Sequence, residues 1–315
     1  MTAAFARCDP ARGVEIITGA ALGTGWQVRF HAPRPVSLDR LRAAIEARLA
    51  AIVAEMSQWA PDSLLSCFNR SPAGTWITLP VDFATVIGAA LATADTSGGA
   101  FDPTHGRAAA LLGYGAEQCA GPPSSGKLDA ALADAGWRRL AFDPATRRLR
   151  QPGGLSLDLA GIAKGFAVDA VADLLRRHGI EDCLVEIGGE LVGRGLRPDG
   201  QPWWVDLERP PDAALPPLRI GLHEAAVATS GDYVRGAHTL DPRTGRPLLP
   251  KVASVSVIHS SAMLADAWAT ALLVLGPEDG LALATRQGLA ARMLERRHEN
   301  VVEAISPALR AMMED

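Results

Sequence analysis

Four stretches of this 315-residue chain carry side chains whose types and spacing suit catalysis or ligand binding. In Leu157-Asp158-Leu159-Ala160-Gly161-Ile162-Ala163-Lys164-Gly165, an acid leaves an apolar run and a lysine follows. The stretch reads as a strand end opening into a helix, where free backbone N–H groups favour an anion. Asp158 and Lys164 are spaced to bracket a phosphate and its metal. The glycine and lysine spacing fits neither a Walker A loop nor a GxGxxG turn. In Ala265-Asp266-Ala267-Trp268-Ala269-Thr270, the acid and the hydroxyl stand four apart, on one helix face. Both are hard oxygen donors suited to Mg²⁺, which takes only one or two protein carboxylates and keeps water and substrate phosphate around it. An Asp near a helix start, with Thr bonding back to the i−4 carbonyl, accounts for the same pair without a metal.

The third stretch is the polar block Ala228-Thr229-Ser230-Gly231-Asp232-Tyr233 with Ala237-His238-Thr239-Leu240-Asp241-Pro242-Arg243-Thr244-Gly245. His238 and Asp241 lie three apart beside a Pro-x-Thr-Gly turn. An imidazole titrates near neutrality and can serve as a general base, with Asp241 orienting it or sharing the role. A satisfied structural histidine explains the block equally well. The fourth is Gly99-Ala100-Phe101-Asp102-Pro103-Thr104, a turn between helices. Asp102 is held extended by the proline after it. The turn is either a helix cap and nothing more, or a backbone-lined ligand edge.

The elements that must position these groups follow from periodicity. Residues 14–30 read as strands broken at Gly23-Thr24-Gly25. Ser37 caps a helix with Leu41, Ile45, Leu49, Ile52 and Met56 on one face. A loop holding Asp62, Ser66 and Asn69 is expected next, then a helix from Asp82 to Thr96 ended by Gly98-Gly99. A helix over 127–135 and a hairpin around Asp143-Pro144 follow. A strand over 155–159 and a helix to about His178 come after. Strands are expected over 184–187, 203–207, 218–222 and 253–258, with an Ala-rich helix over 261–275. The rest alternates helix, strand and helix. Helices and strands mix without a regular βαβ count, which favours α+β.

Composition bounds the partners. Lys and Arg total 31 against 35 Asp and Glu, a net charge of −4 with no basic stripe, so nucleic acid is not an expected partner. Short runs such as Arg147-Arg148 and Arg296-Arg297 read as solvated faces. Cys8, Cys67, Cys119 and Cys183 are scattered, without zinc-ligand spacing, and read as free thiols of a reducing compartment. No apolar run reaches the roughly 18 residues of a membrane span. Residues 1–13 read as a flexible segment without a secretory core or lipobox, so a cytoplasmic location is expected.

As an ordered set, these blocks resemble the ApbE family of FAD:protein FMN transferases. The carrying pieces are Leu22-Gly23-Thr24, SLLSCFN at 63–69, GAFDPT at 99–104, DLAGIAKGFAVD at 158–169, EIGGEL at 186–191, ATSGDY at 228–233, HTLDPRTGRP at 238–247 and ADAWATALLVLG at 265–276. The resemblance implies a single α+β, T-fold-like domain of two lobes over 1–315, with FAD in the cleft between them. It implies FAD contacts at Ser66, Asn69, Ala100, Phe101, Asp102, Asp158, Lys164 and Leu240. It implies Mg²⁺ at the Gly161 carbonyl, Asp266 and Thr270, and catalysis at His238. The implied activity is transfer of FMN from FAD, through a phosphoester bond, to a Thr or Ser hydroxyl of another protein, with release of AMP. The implied acceptor carries an Asp-x-x-Ser/Thr-Gly/Ala-Ala-Thr stretch. Two alternatives stand beside it: an FAD pyrophosphatase giving FMN and AMP, and a non-catalytic FAD-binding maturation accessory. The chain departs from the family at Phe166, where Tyr is frequent, and at His105-Gly106-Arg107, where Val-Gly-Pro is common.

Overall fold

The computed structural model describes residues 13–314 apart from 33, 116–124, 212, 232–238, 250 and 299. The chain opens with a hairpin, β1 (Glu15–Ala21) and β2 (Thr24–His31), closed by the two-residue turn Leu22-Gly23. Ser37 accepts a hydrogen bond from the Arg40 N–H and starts α1 (Leu38–Met56), whose buried face is the expected Leu41, Ile45, Leu49, Ile52 and Met56. Then come α2 (Leu64–Asn69), β3 (Trp76–Thr78), α3 (Val81–Thr96), α4 (Gly106–Leu111) and α5 (Ser125–Asp134). A 3₁₀ turn at Trp137–Arg139 leads into the hairpin β4 (Ala141–Asp143) and β5 (Arg148–Arg150). Helix α6 (Ala163–Arg177) is followed by β6 (Asp182–Ile187), β7 (Glu190–Arg194), β8 (Trp203–Asp206), β9 (Arg219–Leu222) and β10 (Ala225–Gly231). The short β11 (Leu240–Asp241) and β12 (Arg246–Pro247) precede β13 (Val252–His259), α7 (Ala262–Gln287), β14 (Ala290–Arg297), β15 (Asn300–Ile305) and α8 (Pro307–Glu314).

The main sheet runs β1-β2-β6-β7-β10-β13-β14-β15, and every neighbouring pair is antiparallel. One face packs on α1, α6 and α7; Val255 and Val257 of β13 share a core with Ala167, Val168 and Leu272. The other face is covered by the β8–β9 hairpin and α8, through Trp203, Leu222, Ile258 and Leu309. A strand covered on both faces reads as a continuous buried run, as β13 does. The smaller sheet β3-β5-β4 stands with α2 to α5, and its Leu149, with Phe68 and Phe83, belongs to the same core as the main sheet's helices. The α+β expectation holds. Among the described residues, no helix is long and apolar enough to cross a membrane.

Two local expectations are corrected. The segment holding Ser66 and Asn69 is the helix α2, not a loop, because Ser63 caps it by accepting the Ser66 N–H at 3.0 Å. Residues 155–159 are extended but form only a single parallel bridge, Ser156 to His105. Side chains and loops take the place of a ladder there: Asn69 satisfies both backbone groups of Leu157, and the Asp158 N–H donates to the Pro103 carbonyl at 2.8 Å. The Ala-rich helix ends where expected. Gly276, at φ 79° and ψ −173°, breaks α7 just before Pro277, and a second helical piece continues to Gln287.

Candidate active site

The site gathers at the N-terminus of α6 against the first turns of α7. Asp169 of α6 fixes the second helix to the first. Its carboxylate accepts from the Ser261 hydroxyl at 2.7 Å and from the Ala262 and Met263 N–H groups, both at 3.0 Å. Ser261 in turn accepts from the Leu264 N–H, so the start of α7 is doubly capped. The register of α7 then places Asp266 and Thr270 over the turn that opens α6. The Gly165 N–H donates to Asp266 Oδ2 at 3.1 Å. A Cβ on Gly161 would stand 2.8 Å from Thr270 Oγ1, so only glycine fits there. Ile162 gives helix α6 no side-chain cap; the Ala163 N–H donates to the Leu159 carbonyl at 2.9 Å, and Asp266 caps the first turn through the Gly165 N–H.

Charge is concentrated around this turn. Asp266 is 3% exposed, and burial pushes its pKa up, against the pull of Lys164 and the Gly165 N–H. Lys164 Nζ pairs with Glu190 Oε1, at the start of β7. Glu190 is buried as well, and its pKa is pushed up to about 8, first by burial and then by the charge on Asp266, with Lys164 opposing. One ammonium thus stands between two buried carboxylates. Thr270 Oγ1 lies 3.2 Å from Ser230 Oγ on β10, which ties the third stretch to the same place.

The expected flavin contacts line one flank. Asn69 Nδ2 donates to the Leu157 carbonyl at 3.0 Å, and its Oδ1 accepts the Leu157 N–H at 2.7 Å. The Asp158 carboxylate accepts from the Ala160 N–H at 2.8 Å and from Gln58 Nε2 at 3.3 Å. Ser66 is buried one helical turn before Asn69, with its hydroxyl 3.4 Å from the Ser57 carbonyl. Ala100 and Phe101 are buried, and the Phe101 ring would be 3.4 Å from a Cβ on Gly161. Asp102 is engaged nearby: it accepts from the Thr104 N–H and hydroxyl at 2.9 and 2.6 Å, and from the Trp137 N–H at 3.1 Å. Asn69, Asp158 and Phe101 therefore meet along one path, from α2 through residues 157–161 to α7, while Ser66 and Asp102 are engaged outside it.

Leu240 and Asp241 stand to one side. Leu240 is buried in a small cluster with Ala108, Ala109 and Ala131. Asp241 is gripped by Arg243, with Nε and one Nη each 2.9 Å away, and the same guanidinium reaches the Val274 carbonyl of α7 at 3.4 Å. His238 lies outside the described residues. Glu190, Gln58 and Asp169 were not singled out by sequence reasoning, while Ser230 belongs to the polar block read at 228–233. Glu190 shares the EIGGEL run with Glu186, and nothing in the spacing of that run sets one acid apart from the other.

No group of three or more His, Cys, Asp or Glu gathers to hold a metal among the described residues. The donors here are of another kind: one carboxylate, one hydroxyl and a backbone turn stripped of a side chain. Hard oxygens beside an ammonium at a helix N-terminus suit a phosphorylated ligand and a hard divalent cation.

The sequence profile described as the ApbE family matches residues 22–293. An FAD:protein FMN transferase of Vibrio cholerae serotype O1 is 34% identical over 323 aligned residues, covering 98% of this chain and 96% of that protein. The protein of the same name from Escherichia coli K12 is 31% identical, covering 98% and 94%. The solved flavin transferase ApbE from Vibrio cholerae superposes with a TM-score of 0.88 at 33% identity, over 95% of this chain and 99% of that one. The apo flavinyl transferase ApbE of Pseudomonas stutzeri gives 0.89 at 35% identity, over 96% and 98%.

Proposed function

The chain belongs to the ApbE family, and on that premise we propose that it is an Mg²⁺-dependent enzyme that moves the FMN half of FAD onto a Thr or Ser hydroxyl of an acceptor protein and releases AMP. Transfer of flavin from FAD to protein is the activity in the names of its relatives. The observation that carries the finer reading is the meeting of Asp266 and Thr270 with Gly161 and Lys164 at the start of α6.

In this reading the acceptor oxygen bonds to the FMN-side phosphorus of FAD. The bond from that phosphorus to the bridging oxygen breaks, and the bridging oxygen leaves on AMP. The diphosphate lies at the N-terminus of α6, where the positive end of the helix dipole and Lys164 offset its charge. The residues fit a magnesium ion: Asp266 is a buried carboxylate, Thr270 adds a hydroxyl, and the bare turn at Gly161 lets a carbonyl approach. Such an ion, when bound, neutralises charge on the phosphoryl oxygens. The hydroxyl proton goes to His238, the group with a suitable neutral-range pKa. Asp241, committed to Arg243, fixes the turn that follows it. Asn69 holds residues 157–161 in place, and Ser66, Ala100, Phe101, Asp102, Asp158 and Leu240 shape the flavin's edge.

The test is FAD turnover with Mg²⁺, with and without an acceptor domain bearing the Asp-x-x-Ser/Thr-Gly/Ala-Ala-Thr stretch. Flavin fluorescence that stays on the denatured acceptor, with matching AMP and dependence on Mg²⁺, is expected. AMP and free FMN without labelled acceptor would mark a pyrophosphatase instead. FAD binding with neither product would mark an accessory.

A further inference from the structure

The small sheet β3-β5-β4 carries a charge that the reaction above does not use. The chain has a net charge of −4, yet residues 134–150 hold five arginines against two aspartates. Register sets Trp76, Arg150 and Ala141 side by side on one face of the sheet, with Thr78, Arg148 and Asp143 next to them. Ile77, Leu149 and Phe142 alternate with these and pack on the core, so the first set forms the outer face. Trp76 is 41% exposed, and Arg148 and Arg150 are exposed beside it. The 3₁₀ turn at Trp137–Arg139 leads into β4 at the Trp76 end, where Arg139 donates to the Gly153 carbonyl at 3.4 Å. The two acids are already engaged. Asp134 is shared by Arg107 and Arg139, and Asp143 accepts from the Ala145 and Thr146 N–H groups of its own turn at 3.0 and 3.4 Å. No ion pair takes up Arg138, Arg147 or Arg150 among the described residues. A solvated Arg147-Arg148 pair is ordinary; this concentration on an acidic chain is not.

Two of these arginines are stacked on indoles. The Arg148 guanidinium lies 5.1 Å from the centre of the Trp76 ring, and that of Arg138 lies 4.2 Å from the centre of the Trp137 ring. Stacking holds the guanidinium plane and leaves its N–H edge to an acceptor, so a carboxylate can bind it at a reduced ordering cost. Trp and Arg are also the residue types that dominate binding at protein interfaces. The patch is continuous with the flank where flavin contacts are expected: the Trp137 N–H donates to Asp102 at 3.1 Å, and the Gly136 N–H to the Thr104 hydroxyl at 2.7 Å. A protein whose hydroxyl enters the site must lie over the surface around it. We propose that the outer face of β3-β5-β4, with the adjoining turn, docks the acceptor protein through an acidic surface on that partner. This rests on the transfer reading given above. An acidic partner is repelled by the rest of an acidic chain and drawn to this one face, which orients it as it approaches.

The experiment measures flavin transfer by the full chain to an acceptor domain of net negative charge bearing the Asp-x-x-Ser/Thr-Gly/Ala-Ala-Thr stretch. It compares the unaltered protein with Trp76→Ala and with the triple variant Arg147→Gln, Arg148→Gln, Arg150→Gln. The triple variant should raise KM for the acceptor about tenfold, the scale of three exposed charge pairs together. KM for FAD, and kcat at saturating acceptor, should stay as they are. Trp76→Ala should raise the acceptor KM about threefold, the scale of one exposed stack. Added salt should raise the acceptor KM of the unaltered chain and barely move that of the triple variant. An acceptor KM that the triple variant leaves within about twofold overturns the inference and leaves the transfer reading standing. A fall in kcat or in FAD affinity overturns it as well, since the face would then support the fold and not a partner. So does an unmoved acceptor KM with weaker binding of the triple variant to phosphatidylserine vesicles or duplex DNA, which would give the patch to another polyanion. No labelling by the unaltered chain overturns the transfer reading itself, and the inference with it.

Discussion

Asp266 is a buried carboxylate in the first turns of α7. A carboxylate at 3% exposure, with one backbone donor and a shared ammonium, is retained at a cost in stability. Asp266→Ala should therefore lower flavin transfer by at least about a hundredfold, the scale of losing a ligand or a preorganised charge. It should leave the melting temperature unchanged or higher, and FAD quenching still detectable. Full Mg²⁺-dependent labelling of the acceptor by that variant would remove Asp266 as a ligand. Asp266 and Thr270 were legible in the sequence because a helix turns i and i+4 onto one face. Glu190 was not, because its place beside Lys164 depends on β7 running to the start of α6. That meeting is tertiary and leaves no spacing to read. Cysteine chemistry was half legible. Cys67 is a free exposed thiol, while burial pushes Cys183 up to about 12. Peptide mapping after brief iodoacetamide treatment should find Cys67 modified and Cys183 protected until the protein unfolds. Modification of Cys183 in the folded chain would contradict its burial.

The elements carry the site in ways that propensity alone does not predict. The extended run 155–159 has no strand partner beyond one bridge at Ser156, and the Asn69 amide does the work of a ladder. Apolar alternation announced a strand, and that pattern cannot distinguish an extended segment held by a side chain from one held by a neighbouring strand. Asn69→Ala removes both bonds and should cost about 2 kcal/mol, at about 1 kcal/mol each. It should also weaken FAD binding, because Asp158 and the turn at Gly161 hang from this run. Denaturant melts and flavin quenching measure the two effects, and a variant with unaltered stability would show that the clamp is dispensable. The start of α7 adds a pH term. Burial holds the His259 ring below the usual histidine value, with Asp169 opposing, and the Ser261 N–H donates to its Nδ1 at 3.0 Å. The folded chain thus rejects a proton that the unfolded chain accepts near 6.5. This contribution is fully present above that pH and is lost as pH falls through the depressed value. The melting temperature should drop more between pH 7.5 and 5.5 in the unaltered protein than in His259→Gln. Equal drops would assign the titration elsewhere.

At the scale of the whole molecule, the candidate site lies where α6 and α7 meet, beside the close approach of Gly165 to Ala262. Helices α6 and α7 each pack on the main sheet, and their small residues, Ala167, Ala170, Ala262, Ala267 and Ala269, fill the shared core. The Ala and Gly content of both segments was visible in the sequence, as was the α+β class. The crossing was not, because nothing in one helix names its partner. Gly165 sits at the contact. A Cβ there would collide with the Ala262 carbonyl and would lie 2.8 Å from the Met263 Cα, backbone that cannot yield without moving α7. The same glycine's N–H holds Asp266. Fold and site are therefore fixed by one contact, and one substitution should damage both. Gly165→Ala, harmless to helix propensity, should destabilise the chain by about 1–3 kcal/mol through overpacking. It should also lower transfer by more than tenfold at temperatures where the protein is still folded, because separating the helices moves Asp266 and Thr270 off Gly161 and Lys164. A circular-dichroism melt paired with an acceptor-labelling assay well below the transition reads the two quantities separately. A lower melt with undiminished labelling would mean that the crossing supports only the core. Both falling together, against Asp266→Ala, where activity alone falls, would establish that the packing of α6 on α7 is what holds Asp266 and Thr270 in the arrangement that transfer requires.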